Sequence, residues 1–216
     1  MIGTSTGDRR WTGLIGRIWP WLVAVVVLAL ISGVVLLTSG ARNPGPDSAE
    51  AGMLRDMIPH HDQAVEMALI IRDRTGDQQL FFLATDIVLA QQNQIGHMEG
   101  WLMAWDISPN QDGPMMAWMD HPVEDGLMPG MATREQVESL RTLPVDEAEV
   151  LFLQLMIRHH QGGLHMAEAY LDRGDDRLVG EFSRNVIAVQ GREIETMNVM
   201  LAQRGADPIT DELHIH

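Results

Sequence analysis

Leu54-Arg55-Asp56-Met57-Ile58-Pro59-His60-His61 returns 99 residues later as Leu153-Gln154-Leu155-Met156-Ile157-Arg158-His159-His160. The offset holds without a gap for about 50 residues, pairing Met67-Ala68 with Met166-Ala167, Asp77 with Asp176, Gln91 with Gln190, Ile95 with Ile194, Met98 with Met197 and Leu102 with Leu201. The matches recur at helical spacing, so the two stretches read as copies of one helical hairpin. In the first copy, Asp47 or Ser48 can cap a helix to about Arg74, Thr75-Gly76-Asp77 turns, and a second helix runs from about Gln78 to Trp105. In the second, Asp146 caps a helix to about Asp172, Arg173-Gly174-Asp175 turns, and the last helix runs from Asp176 to Gln203, stopped by Gly205 and Pro208. Strand signals are absent. The expected fold class is therefore all-α: a four-helix bundle made of two duplicated hairpins, residues 50–105 and 146–205, with the long crossover of ferritin-like folds. The connector 106–145 is rich in Met, Pro and Gly. It ends in a short helix opened by the capping-box pattern Thr133-Arg134-Glu135-Gln136. Pro59, replaced by Arg158 in the second copy, should kink the first helix beside His60.

Outside the bundle, Ile18 to Leu37 holds no ionisable side chain. About 20 such residues suffice to cross a hydrocarbon core of roughly 30 Å, so residues 18–38 are expected to form a transmembrane anchor. Arg9, Arg10 and Arg17 precede the stretch and Arg42 follows it, which places residues 1–17 in the cytoplasm and the bundle outside the cell membrane, in a single-pass arrangement. A cleaved signal peptide is the alternative, although the apolar run exceeds the usual length of such a region. Residues 39–49 form a linker containing Asn43-Pro44-Gly45-Pro46, and residues 206–216 form a tail ending in His214 and His216.

Composition narrows the chemistry. The 216 residues include no cysteine and no lysine, but nine His and 15 Met. That removes disulfides, thiolate metal sites, cysteine nucleophiles and Schiff-base lysines. The formal charge is −15, and residues 43–216 hold 11 Arg against 29 Asp and Glu, a balance of −18. Nucleic acid is excluded as a partner, since its binding rests on phosphate neutralisation by basic residues. An acidic solvated surface or docking onto a basic partner accounts for the charge.

At about 100° per residue, Met57, His60, His61, Ala64, Met67 and Ala68 share one helical face, and so do Met156, His159, His160, Gly163, Met166 and Ala167. On the following helices, Gln91 and Met98, and Gln190 and Met197, point toward those faces. Ala64 and Gly163 leave room there for close packing or for a ligand. Imidazole with thioether selects copper, as Cu(I) or Cu(II), and Ag(I) fits equally well; zinc fits less well without thiolate or a third histidine. The expected metal ligands are His60, His61, Met57 and Met67 with His159, His160, Met156 and Met166, then Met98 and Met197. Core filling is the competing role for the methionines. A second candidate set lies in the connector: Met115, Met116, Met119, His121, Met128 and Met131. These suit exchangeable Cu(I) capture, or else form a hydrophobic flap. His165 falls opposite the shared face and is expected on the surface; His97 has no counterpart in the repeat.

The motifs around His60-His61 and His159-His160, with Met128-Pro129-Gly130-Met131 between them, resemble the family catalogued as domain of unknown function DUF305 over roughly residues 50–205. The resemblance implies a ferritin-like bundle exported from the cytoplasm, with some members binding copper and silver through Met and His. The family's Gln-x-x-Glu-Ile-x-x-Met pattern survives as Gln190 to Met197, but the first copy has Gln94 where the second has Glu193; Gly162-Gly163 is a further departure. No Glu-x-x-His di-iron motif and no dedicated acid–base pair is present, so an enzyme is not expected. The leading expectation is a membrane-anchored extracytoplasmic copper protein that buffers, detoxifies or delivers copper to an acceptor protein. The alternative is an accessory or assembly subunit of a membrane complex, such as an actinobacterial respiratory supercomplex, docked through its span and acidic bundle.

Overall fold

The computed structural model describes residues 11–38, 43–110, 113–123 and 127–209. Among them the chain is all-helical, with α1 (Trp11–Thr38), α2 (Ala49–Arg74), α3 (Gln78–Ala104), α4 (Arg134–Thr142), α5 (Val145–Arg173) and α6 (Arg177–Gln203). It divides into two units, residues 1–43 and 44–216.

In the first unit, α1 has its side chains described over residues 19–32, all of them exposed. Among the described residues no helix is long and apolar enough to cross a membrane. The expected transmembrane anchor over residues 18–38 is thereby overturned, and the single-pass placement at the cell membrane, with a cytoplasmic N-terminus and an extracytoplasmic domain, falls with it. The accessory-subunit reading loses the span through which it was to dock. Residues 39–42 of the linker, and His214 and His216, lie outside the described residues.

In the second unit, local chemistry sets the helix starts. Ser48 Oγ accepts the Ala51 amide at 3.2 Å. Asp77 and Asp176, equivalent in the two copies, each accept two amides of the following first turn, at Gln79 and Leu80 and at Leu178 and Val179. Each cap satisfies donors that an uncapped helix leaves open. The capping box at Thr133 and Gln136 forms as its sequence pattern requires. Asp146 is not a cap: α5 starts one residue before it, after Pro144, and the carboxylate sits in the first turn, where it complements the helix dipole. α2 continues through Pro59 as one element.

α2 packs on α3 and α5 on α6, and the two hairpins meet through α2 and α5. The start of α2 and the end of α3 share one apolar cluster with the end of α5 and the start of α6; the other ends share a second cluster. α2 and α5 therefore run antiparallel, and the duplication becomes a pseudo-twofold arrangement. Two buried glutamates obey it. Glu50 accepts Tyr170 Oη at 3.1 Å and the amides of Asp175 and Asp176, which fastens the turn of the second hairpin. Its equivalent Glu149 accepts Thr75 Oγ1 at 2.5 Å and Arg204 at 2.7 Å, which fastens the turn of the first. Burial pushes the Glu50 carboxyl up, but the amides it accepts outweigh burial and hold it below the ordinary range. Arg74 donates to the carbonyls of Leu140 and Leu143 and so closes the end of α4.

Candidate metal site at the bundle waist

The duplicated histidines meet between the two apolar clusters. The antiparallel crossing of α2 and α5 stacks the inner pair, His60 on His159, with ring centroids 3.8 Å apart and planes tilted by 36°. The outer rings flank them, His61 at 6.4 Å from His60 and His160 at 6.3 Å from His159. All four side chains are completely buried.

Each ring spends Nε2 on an oxygen. His60 Nε2–H donates to the Pro129 carbonyl at 3.2 Å, His159 to the His60 carbonyl at 2.9 Å, His61 to Gln94 Oε1 at 2.8 Å and His160 to Glu193 Oε2 at 2.7 Å. Oxygens of these kinds accept and do not donate, so the proton sits on Nε2 and Nδ1 keeps its lone pair. None of the four Nδ1 atoms has a partner. Gln91 and Gln190 are also buried, and both amide atoms of each are without one. Among the described residues nine buried side-chain nitrogen or oxygen atoms lack a partner; eight belong to this waist and the ninth is His165 Nε2. A buried orphan of this kind costs about 1–3 kcal/mol, so their concentration in one layer is a strong demand for a ligand.

Burial also fixes the charge. It lowers His60 to about 4 and His61 to about 3, with neighbouring imidazoles adding to the effect on His61. His159 is lowered well below the ordinary histidine value by burial first and then by its three neighbours. His60, His61 and His159 are therefore neutral at pH 7. A neutral imidazole whose Nε2–H is held by an acceptor, leaving Nδ1 free, is the form that ligates metal.

The thioethers divide across the repeat. Met57 and Met98 lie in one apolar cluster with Met166; Met156 and Met197 lie in the other with Met67. Ten helical residues separate Met57 from Met67, about 15 Å of rise, so one helix cannot bring both to the same end. The antiparallel partner supplies the missing one. Each cluster thus holds three of these six methionines, all buried, on its side of the histidine layer.

The glycines of the second copy have distinct causes. A Cβ on Gly163 would lie 2.5 Å from Gln190 Oε1, so the space left there is taken by that amide. A Cβ on Gly162 would collide with the carbonyl of Pro129, the acceptor of His60. The connector thereby lies directly on α5. Its methionines gather on the cluster of Met57: Met116, Met119 and Met128 are buried in it and Met115 and Met131 pack against it, while Met116 and Met119 also line a pocket with His121. His165, expected on the surface, is half-buried, with its Nε2 enclosed in the same pocket. His97 stacks on Trp101 at 6.0 Å. The acceptors Gln94 and Glu193 were not among the expected site residues. Their signal was in the sequence, since they occupy equivalent positions three residues after Gln91 and Gln190. Among the described residues no three His, Asp or Glu side chains group around one point, so an ion at the waist would draw on imidazole pairs with thioether or amide donors.

The fold and site together define an all-helical, internally duplicated domain that buries a layer of ligand-competent imidazoles flanked by methionines. The chain belongs to the family described as Domain of unknown function (DUF305), whose profile matches residues 50–201. A solved DUF305 protein from Streptomyces coelicolor is 44% identical, with a TM-score of 0.72 over 77% of this chain and 100% of that one. CopM in its Cu(I)-bound form shares the fold at 22% identity, with a TM-score of 0.55 over 72% of this chain and 96% of that one. CopM has also been solved in Cu(II)-bound and Ag-bound forms. Uncharacterized protein L153 of Acanthamoeba polyphaga mimivirus is 47% identical over 49 residues, 23% of this chain; the chain spans 32% of that curated relative.

Proposed function

We propose that this chain binds Cu(I), with Ag(I) as a surrogate, at the waist of a ferritin-like four-helix bundle, and acts as a copper buffer or carrier rather than a catalyst. The reading rests on the four unpartnered Nδ1 atoms of His60, His61, His159 and His160. Each lies buried with no protein partner while Nε2 is held by an oxygen. Met57, Met67, Met98, Met156, Met166 and Met197 are the available thioether donors, and soft sulfur with imidazole discriminates for Cu(I) over hard cations. Cu(I) accepts low coordination numbers, so a pair of these donors suffices. The copper- and silver-bound forms of CopM, which shares this fold, lend support. The test is anaerobic Cu(I) competition against a chromogenic chelator. Replacing His60, His61, His159 and His160 by Ala should abolish competition at the waist. An unchanged affinity in a variant that retains its helical circular dichroism would overturn the reading.

A further inference from the structure

The ninth orphaned atom, His165 Nε2, lies outside the waist. It lines a pocket of about 200 Å³ together with Met116, Met119, Asp120, His121 and Pro129. Met116 and Met119 are buried, while His121 is exposed, so the pocket joins a thioether floor to a rim that solvent reaches. This floor is built at a cost. Met116 and Asp120 bracket a short 3-10 turn, Ala117–Met119, with φ of +63° and +61°, a left-handed conformation that is strained for residues other than glycine. Asp56, buried in α2, holds the turn in place: its Oδ2 accepts the Met116 amide and Trp118 Nε1, both at 2.8 Å. The bridge between Met115 and Val123 closes the loop. Pro129 is the wall shared with the waist, since its carbonyl accepts His60 Nε2–H.

We infer that this pocket is a second soft-cation site, in which His121 and His165 supply imidazole nitrogen and Met116 and Met119 supply sulfur to Cu(I) or Ag(I), and that it loads the waist past Pro129. Two thioethers and two imidazoles, with the Asp120 carboxylate beside them in the lining, favour a monovalent soft ion over calcium, magnesium or zinc. The site itself stands on the pocket's own residues; its loading role rests on the reading of the waist as a Cu(I) site.

The test is titration of the full chain with silver nitrate, followed by methionine methyl 1H–13C spectra and by bound equivalents after desalting. The Met116 and Met119 methyl signals should shift in the wild type. In His121→Ala/His165→Ala they should stay still, one equivalent should be lost, and the waist methionines should respond more slowly but to the same end point. His121 is exposed and His165 is only partly buried, so this variant keeps its fold; circular dichroism checks that it does. Still Met116 and Met119 methyls in the wild type, or an unchanged number of equivalents in the variant, would overturn the site. An unchanged loading rate would overturn its role as gateway. Response at Met116 and Met119 with silence at the waist would instead overturn the waist as a metal site.

Discussion

Glu193 and Gln94 occupy equivalent positions, yet one gives His160 a carboxylate and the other gives His61 an amide, at 2.7 Å and 2.8 Å. The replacement Glu193→Gln keeps an oxygen in place to accept Nε2–H, so it preserves the tautomer and removes only the charge. A hydrogen bond to a charged group is worth about 1.5–3 kcal/mol and a neutral one about 1 kcal/mol, a difference of the order of 1 kcal/mol. Glu193 is 16% exposed, so solvent screens little of this. A carboxylate against Nε2–H pushes electron density toward Nδ1 and makes it the stronger donor. One kcal/mol corresponds to about a fivefold change in Kd. E193Q should therefore weaken Cu(I) binding through His160 about fivefold in chelator competition, and Gln94→Glu should strengthen binding through His61 by a similar factor. The more drastic Glu193→Ala leaves Nε2–H unpaired and should cost about tenfold or more. No change in E193Q, or weaker binding in Q94E, would refute the reasoning that these residues tune Nδ1.

Three further outcomes follow from the packing and the charges. His60 and His61 have folded values lowered to about 4 and about 3, against 6.5 unfolded, so the unfolded chain binds more protons between these limits. Stability of the metal-free protein is then fully present above pH 6.5 and is lost as pH falls through that window, by roughly 3 kcal/mol at pH 4 from His60 alone; a urea midpoint independent of pH from 7 to 4 would contradict this. Gly162→Ala forces a methyl onto the Pro129 carbonyl, an overpacking cost of about 1–3 kcal/mol that the helix-propensity gain of up to about 1 kcal/mol does not cancel, so Tm should fall; a rise would show that the connector does not press on α5. Asp56→Ala strands the Met116 amide and Trp118 Nε1, and should cost about 2 kcal/mol in urea unfolding even though burial raises the Asp56 carboxyl and offsets part of its value.

The helices of the second unit were readable because they are long, capped and amphipathic. Ser48, Asp77, Thr133 and Asp176 announce helix starts in sequence and serve as caps in the structure. The shared faces of His60-His61 and His159-His160 were readable because helical periodicity fixes which residues share a side. Periodicity within one helix says nothing of the partner, so the exchange of Met67 and Met166 between halves emerged only with the antiparallel crossing of α2 and α5. The same limit hid Gln94 and Glu193, whose role depends on which ring reaches them. His165 was misplaced because a helical wheel sees only its own helix, whereas an aperiodic loop lies over that face, admitted by the bare backbone of Gly162. Residues 18–38 read as a membrane span on hydropathy, and no helix among the described residues is long and apolar enough to be one.

The waist itself is tested most directly by long-range 1H–15N correlation of the histidine rings during addition of Ag(I). The metal-free spectrum should show His60, His61 and His159 as neutral rings protonated at Nε2, and His160 with its Nε2–H donating to Glu193. On addition of the ion the Nδ1 resonances of the waist should move while Nε2 stays protonated. Nδ1 protonation in the metal-free protein, or bound silver with these four Nδ1 resonances unmoved, would contradict the assignment of the waist as the metal site.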